Sequence, residues 1–351
     1  KLGDGEYTFQ LIACNGEGQC NILPVEISFS IDEPLWKKWW FYIGLSSLLM
    51  IIVNYVIYLR TRRLKKTEVL LRGMVEEKTQ LLQQEKEEVE KVKTQLEVKN
   101  KDITDSINYA KRIQEALLPS KNMILDKLPD TIIYYRPRDI VSGDFYWFAE
   151  TADTYIIAAI DCTGHGIPGA FMSLIGSTLL NEIIYDYQFT EPAKILSELN
   201  EKVIKTLNQK TNINSSYDGM DMSVCSISKD KRTCLFAGAH RPLYLINEHG
   251  LREIKGSPLS IGGDLKEGKK LFQEHTIYLN KGDMLYIFSD GYSDQFNELG
   301  KKFTTKRLKA MLLEINNESI KTQYHAIKEK FESWTGNGHQ IDDVLIIGIR
   351  V

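Results

Sequence analysis

The feature that most constrains this chain is a run of 21 residues, at positions 39–59, that contains no charged side chain. A helix of about 20 apolar residues spans the ~30 Å hydrocarbon core of a bilayer. Helices in globular cores are seldom this long and apolar on every side. Tryptophan and tyrosine stand at both ends of the run, among them Trp39 and Tyr58, as is typical of the two membrane interfaces. The run therefore predicts one transmembrane helix at 39–59.

Basic residues on the two sides of this run predict its orientation. Five follow it closely and two precede it: Arg60, Arg62, Arg63, Lys65 and Lys66, against Lys37 and Lys38. Because cytoplasmic flanks carry the excess of Lys and Arg, everything after position 59 is predicted to be cytoplasmic. The net charge of −3 gives no general positive field, so nucleic acid is not expected as a partner.

Residues 62–118 predict a long helix in a parallel, dimeric coiled coil. No proline interrupts them, and Gly73 is their only glycine. One apolar row recurs every seven residues: Val75, Leu82, Val89, Leu96, Ile103, Ala110 and Leu117. The companion row is half polar, with Lys78, Glu85, Lys99 and Ser106 in it. An intact apolar row beside a half-polar row indicates a coiled coil of marginal stability. Such a coil can have two packings of similar energy, which suits the transmission of a signal. The alternative is a long solvated helix on the surface of the following domain.

Aspartates recur where short apolar runs begin or end in the C-terminal part. Asp144 precedes one run, Asp161 and Asp290 follow two others, and Asp342 and Asp343 precede the last. Such placement predicts a carboxylate cluster at one end of a sheet, whose mutual repulsion a divalent cation would offset. Between the acids, Gly164, Gly166 and Gly169 predict a tight turn before a helix.

Residues 119–351 show strands and helices grouped in blocks. Residues 141–173 predict strand, turn, strand, turn and helix, with the first strand after Asp144 and the second at 155–160. Further predicted strands are 221–228, 232–237, 242–247, 275–279, 284–289 and 343–350; predicted helices are 169–187, 192–208, 303–315 and 318–334, with a polar loop at 210–219. Residues 130–135 begin this domain. Thr190 is the predicted cap of the helix that starts at Pro192. Grouping without strict alternation favours an α+β fold, an antiparallel β-sandwich flanked by helices.

Residues 1–34 predict part of another β domain. Apolar residues alternate along 5–31, with a turn at 15–18. Two or three strands are not stable alone, so we expect a fragment of a longer chain, whose first residue is Lys. The stretches GEYTFQLIACNGEG and EPLWKKWWFYIG resemble the short Ig-like module that closes periplasmic propeller sensors of bacterial two-component receptors. Cys14 and Cys20 could pair there, but their spacing does not require it.

Seven ordered motifs carry a second resemblance: INYAKRIQEALLPS, RPRDIVSGDFYW, AAIDCTGHGIPGAFMS, DGMDMSV, AGAHRPLYL, IFSDGYSDQ and IDDVLIIGI. Together they resemble the SpoIIE-type branch of the PPM, type 2C-like, serine/threonine phosphatases. The resemblance implies a metal-dependent phosphoprotein phosphatase. Taken with the apolar run at 39–59 and its basic flanks, it leads us to expect a protein that crosses the bacterial inner membrane once. Its implied substrate is a small cytoplasmic phosphoprotein similar to anti-sigma-factor antagonists.

The resemblance also implies a ligand set for two Mn²⁺ or Mg²⁺ ions. Asp161 would bridge them, the Cys162 carbonyl would add a ligand, and Asp144 and Asp290 would complete the sites. Asp342 fits the last carboxylate of the family pattern better than Asp343. One of Asp218 and Asp221 is implied as a ligand of a possible third ion. Paired ions of this kind activate water for in-line attack on phosphorus, so no nucleophilic side chain is required.

Other polar residues near these motifs have open roles. His165 could donate a proton to the leaving oxygen or could orient a neighbouring group. Arg136 and Arg138 could hold the substrate phosphate, and His240 is interpreted as structural. Cys162 is interpreted as a small buried residue because no arginine follows at cysteine-phosphatase spacing.

Two other functions compete with the phosphatase. A pseudo-phosphatase that only docks partners would not need the complete set of acids. A histidine kinase would share the sensor, the span and the coil, but no histidine occurs before position 165 to accept phosphate.

Overall fold

The structure, a computed structural model, describes residues 2–209, 218–263 and 270–351. The predicted polar loop at 210–219 therefore lies almost wholly outside the described residues. The chain divides into two compact units, Lys1–Leu96 and Glu97–Val351.

The first unit begins with a two-stranded antiparallel sheet, formed by β1 (Gly5–Leu11) and β2 (Val25–Ile31). A disulfide joins Cys14 to Cys20 in the connection, a pairing that the sequence left open. After a 3₁₀ turn at Leu35–Lys37, α1 runs from Trp39 to Leu117 without a break between the predicted span and the predicted coil.

Two helices among the described residues are long and apolar enough to cross a membrane. The long helix that starts at Trp39 has none of its apolar window buried. The second, Gly166–Asp186, has half of its window buried and packs inside the second unit. Length and composition thus leave the stretch after Trp39 as the membrane candidate.

Within its described residues, the second unit contains eleven strands and six further helices. Its strands are β3 (Thr131–Arg136), β4 (Phe145–Glu150), β5 (Thr154–Cys162), β6 (Gly219–Ser228), β7 (Thr233–Ala239), β8 (Leu243–Asn247), β9 (Gly250–Ile254), β10 (Ile261–Gly262), β11 (Glu274–Tyr278), β12 (Met284–Phe288) and β13 (Val344–Arg350). Its helices are α2 (Lys121–Lys127), α3 (Gly166–Asn181), α4 (Pro192–Thr206), α5 (Gly291–Asp294), α6 (Thr305–Ile315) and α7 (Ile320–Thr335).

These strands form two antiparallel sheets. One has the order β11-β7-β6-β5-β4, with β10 on β6, and the other has the order β3-β13-β12-β8-β9. Ile157 and Ile347 belong to the apolar cluster shared by the two sheets. A second cluster joins the first sheet to α3 and α4, and a third joins the other sheet to α6 and α7. The predicted α+β sandwich flanked by helices is confirmed.

Several predicted boundaries were wrong. The helix α3 begins at Gly166 instead of 169 and continues as a π-helical turn at Glu182–Asp186. Glu191, not Thr190, is the N-cap residue of α4, and its side chain makes no capping bond. Asp161 lies inside β5 instead of after it. The elements β9, β10, α2 and α5 were not predicted, because they are short and have weak periodicity.

Candidate active site

Four of the acids singled out in the sequence lie around one cavity. Asp161, near the end of β5, is in register with Asp221 of β6. Asp290 follows β12 and Asp342 precedes β13, each with one residue between it and the strand. All four line a cavity of about 490 Å³. The two sheets therefore bring carboxylates from distant parts of the sequence to one place.

Asp144 completes this group from a buried position just before β4. It is only 3% exposed, and its Oδ2 atom has no hydrogen-bond partner. Burial raises the pKa of Asp144 well above its ordinary value, and the neighbouring Asp161 adds to the rise. A buried carboxylate oxygen without a hydrogen-bond donor destabilises the folded state unless a cation binds it.

Close backbone packing brings the Asp144 loop against the turn that follows β5. A Cβ atom on Gly143 would lie 2.5 Å from the carbonyl oxygen of Gly164, and one on Gly169 would lie 2.4 Å from the same oxygen. Real side chains do not tolerate such distances, so glycine is required at both positions. The predicted tight glycine turn is confirmed, and it explains how Asp144 approaches Asp161.

Arg241, which the sequence analysis did not single out, lies among the acids. Its Nη2 atom is 2.7 Å from both Asp161 Oδ2 and Asp290 Oδ2, and 3.7 Å from Asp221 Oδ2. Burial raises the pKa of Asp161 to about 7, against the lowering effect of the Arg241 guanidinium. The one available signal was that Arg241 lies in AGAHRPLYL, one of the seven motifs that carry the family resemblance.

The two adjacent acids before β13 have different surroundings. Asp342 lines the cavity, and burial raises its pKa. Asp343 is buried, and its two oxygens accept hydrogen bonds from the backbone N–H groups of Arg138 and Gly143, each at 2.7 Å. Asp343 thus ties β13 to the Asp144 loop, while Asp342 is available to a ligand.

We expect Asp342→Asn and Asp343→Asn to fail in different ways. Asp342→Asn should lose turnover with little change in unfolding temperature, because it removes a charge that faces the cavity. Asp343→Asn should lower the stability by about 1–3 kcal/mol, because its amide N–H₂ cannot accept one of the two backbone bonds. Thermal unfolding and phosphate release of both variants check this. Equal stability loss in the two variants would contradict the assignment.

The remaining predicted residues take varied positions. His165 lines the cavity, and its Nδ1 is 3.0 Å from Asp139 Oδ2, a partner not foreseen. Burial raises the pKa of the Cys162 thiol well above its ordinary value, which disfavours a nucleophilic thiolate. Arg138 and Asp218 are not among the described residues that line the cavity. The Arg138 guanidinium donates to the Ile341 carbonyl, and the Asp218 carbonyl accepts from Gln209.

Two further residues singled out in the sequence, His240 and Arg136, lie in different surroundings. His240 also lines the cavity, has a positive φ of 57°, and donates its backbone N–H to the Ser257 carbonyl. Arg136 pairs with Glu332 at 3.5 Å and lies over the Phe331 ring. Arg136 is therefore engaged with α7 and is not among the described cavity-lining residues.

The donor chemistry fits hard divalent cations. Carboxylate oxygens from several strands, with the unpartnered Oδ2 of Asp144 nearby, are the ligands that Mn²⁺ and Mg²⁺ prefer. In the described part of the chain, no three His, Cys, Asp or Glu side chains are grouped closely enough to hold an ion. Arg241 bridges Asp161 and Asp290 instead. The carboxylates suit a divalent ion in chemistry, and an ion on Asp161 and Asp290 would have to replace the Arg241 guanidinium.

Comparison with known sequences identifies relatives of the second unit. A family model described as Stage II sporulation protein E (SpoIIE) matches residues 151–351. The phosphoserine phosphatase RsbU of Bacillus subtilis (strain 168) is 28% identical over 203 residues, which are 57% of this chain and 56% of RsbU. The chain thus spans about half the length of this curated relative.

Solved structures show the same fold. The SiaA-PP2C domain of Pseudomonas aeruginosa is 31% identical, with a TM-score of 0.65 over 72% of this chain and 98% of that domain. The PP2C phosphatase domain of SpoIIE from Bacillus subtilis, solved with a fragment of its regulatory domain, is 20% identical. Its TM-score is 0.50 over 63% of each chain, a likeness that shows the fold.

Proposed function

The chain belongs to the SpoIIE family of PPM, type 2C-like, metal-dependent protein phosphatases, and we propose that it dephosphorylates serine or threonine on a cytoplasmic phosphoprotein. One observation carries this proposal. Aspartates from both sheets converge on a single cavity, with a cationic side chain between them. The mutual repulsion of these carboxylates destabilises the fold unless cations bind among them.

The proposed metal ligands are Asp144, Asp161, Asp290 and Asp342, with the Cys162 carbonyl. Asp221 is the better candidate for a third, looser ion, because it faces the cavity while Asp218 does not. Bound divalent ions of this kind supply an activated water and stabilise charge on phosphoryl oxygens.

The chain's own residues contribute position and charge. Asp343 fixes the Asp144 loop through the Gly143 N–H, so that Asp144 keeps its place relative to Asp161. Asp139 holds the His165 ring at the cavity wall, where the imidazole can exchange a proton with a leaving serine oxygen.

The proposed setting is a single-pass protein of the bacterial inner membrane with the phosphatase unit in the cytoplasm. The apolar stretch after Trp39 and the basic residues that follow it support this. Residues 1–34 are proposed as the end of an Ig-like sensor module. Val75, Leu82 and Val89 are all more than half exposed in the single chain, which supports a parallel homodimer through residues 62–118.

Phosphate release by the full chain in detergent tests the substrate class. Matched phosphoproteins carrying phosphoserine, phosphothreonine or phosphotyrosine, with Mn²⁺ present, should show turnover of the first two only. An anti-sigma-factor-antagonist-like phosphoprotein is the proposed natural type. Metal binding without turnover on any of these substrates would favour the pseudo-phosphatase alternative.

The end of α1 is bonded directly to the candidate site. Gln114 is 3% exposed and donates through Nε2 to the Ser142 carbonyl and to Ser173 Oγ, both at 2.7 Å. Ser142 is two residues before Asp144, and Ser173 lies on α3. A rotation of α1 would therefore pull on both segments that position the acids.

We expect insertions in α1 near Gln95 to act through helix register. Four inserted residues rotate the downstream apolar row by about 50°, whereas seven restore it. Four should therefore change turnover much more than seven, measured with the full chain in membranes at saturating metal. Replacing Lys78, Glu85 and Lys99 by leucine should lock one activity state. If both insertions behave alike and the leucine variant matches the unaltered chain, α1 is only a tether.

A further inference from the structure

Arg241 is the one permanently cationic side chain among the described residues that line the cavity. It occurs in the turn between β7 and β8, and its guanidinium reaches acids from both sheets. Its side chain is only 18% exposed. Arg241 is not one of the proposed metal ligands. The ligand set therefore does not explain why a cationic side chain lies among the acids.

Among the described residues, the ion pairs of the Arg241 guanidinium use a single nitrogen. Nη2 donates to Asp161 Oδ2 and Asp290 Oδ2 and is the atom nearest to Asp221, whereas the buried Nε has no hydrogen-bond partner. A guanidinium built for permanent structural pairing would use its bidentate fork. Arg241 is held by charge at one atom, and it can leave without breaking a wider network.

The same oxygens are those that a divalent ion would need. An ion on Asp161 and Asp290 would bring two positive charges within a few ångströms of Nη2, at a partly buried site where repulsion is strong. The guanidinium and the ion therefore exclude each other.

We propose that Arg241 is a tethered competitor of the metal ions: it neutralises the acids in the metal-free protein and must swing away before the ions bind. This rests on the proposed metal site and adds a regulatory element to it. When only a fraction of molecules has the competent arrangement, apparent affinity falls by that fraction. The acid cluster thereby stays folded without metal, at the cost of weaker metal binding.

The variant Arg241→Gln tests this through opposite effects on two properties. Mn²⁺ affinity, followed by the EPR signal of free Mn²⁺ with the full chain in detergent, should increase by about tenfold or more. The unfolding temperature in excess chelator should fall, because the acids lose their cation, and saturating Mn²⁺ should close that gap. Arg252→Gln, the same change at an exposed position of β9, should alter neither property.

Unaltered protein provides a measurement that does not depend on a folded variant. The arginine reagent phenylglyoxal, with peptide mapping by mass spectrometry, should modify Arg241 slowly in chelator and faster with Mn²⁺. Unchanged or slower modification with Mn²⁺ would overturn the proposal, as would unchanged or weaker Mn²⁺ binding by Arg241→Gln. If that variant binds like the unaltered chain and both release phosphate, only this inference fails. If neither binds Mn²⁺, the proposed metal site fails with it.

Discussion

Asparagine in place of Asp161 is expected to abolish phosphate release while leaving the fold intact. Asp161 contacts the Arg241 guanidinium at 2.7 Å, as Asp290 does, and lies opposite Asp221 in the sheet. A neutral amide cannot offset a divalent cation there. Losing such a ligand removes several kcal/mol of transition-state stabilisation, or on the order of a thousandfold in rate. Asp290→Asn should behave in the same way.

The stability of the metal-free protein separates this outcome from simple misfolding. Because burial raises the pKa of Asp161, its charged form opposes folding above the ordinary pKa of an aspartate. Asparagine removes that cost, so the unfolding temperature in chelator should stay the same or rise. Asp186→Asn, at an exposed position, is the matched control and should keep full turnover. Substantial turnover by Asp161→Asn would contradict the assigned ligand set.

Alanine in place of Gly291 is expected to disrupt the site through the backbone. A Cβ atom there would lie 1.9 Å from the carbonyl oxygen of Asp343, and backbone atoms cannot give way as a flexible side chain can. The neighbouring Asp290 and β13 would have to separate. We expect a loss of about 3 kcal/mol or more in unfolding free energy, at the upper end for overpacked sites.

Chemical denaturation, with phosphate release measured in parallel, checks this expectation. Gly73→Ala is the matched control, because a Cβ atom at Gly73 meets nothing within 4 Å. Alanine on that helix should be neutral or stabilising by up to ~1 kcal/mol. If Gly291→Ala unfolds like the unaltered protein, the close approach of Gly291 to the Asp343 carbonyl is not required for the fold.

Local patterns in the sequence predicted most of the fold. Apolar periodicity is sufficient to identify several elements without any tertiary contacts. These are the long strands β5, β6 and β13 and the helices α4, α6 and α7. The placement of acids at strand ends predicted which carboxylates would meet, because the end of one strand and the start of its antiparallel neighbour lie at the same edge of a sheet. The short β9 has exposed residues and little pattern, and it was missed.

Contacts between distant residues could not be predicted in this way. Asp343 bonds to Gly143, Gln114 bonds to Ser142, and Arg241 bonds to Asp161, each pair brought together only by the finished sandwich. Asp342 and Asp343 are the same residue type, and the family pattern favoured Asp342 as a ligand. Only the packing shows that Asp343 is a buried anchor of the Asp144 loop. In the sequence, Arg241 does not differ from other basic residues in turns, and only the structure shows three acids around it.

Metal titration of phosphate release tests the central claim most directly. The full chain in detergent, stripped with chelator, should release no phosphate from a phosphoserine protein. Adding Mn²⁺ or Mg²⁺ should restore turnover, and direct binding should show two ions per chain that are lost together in Asp161→Asn. Turnover that persists in chelator, or that returns fully with no bound ion, would contradict the two-metal account.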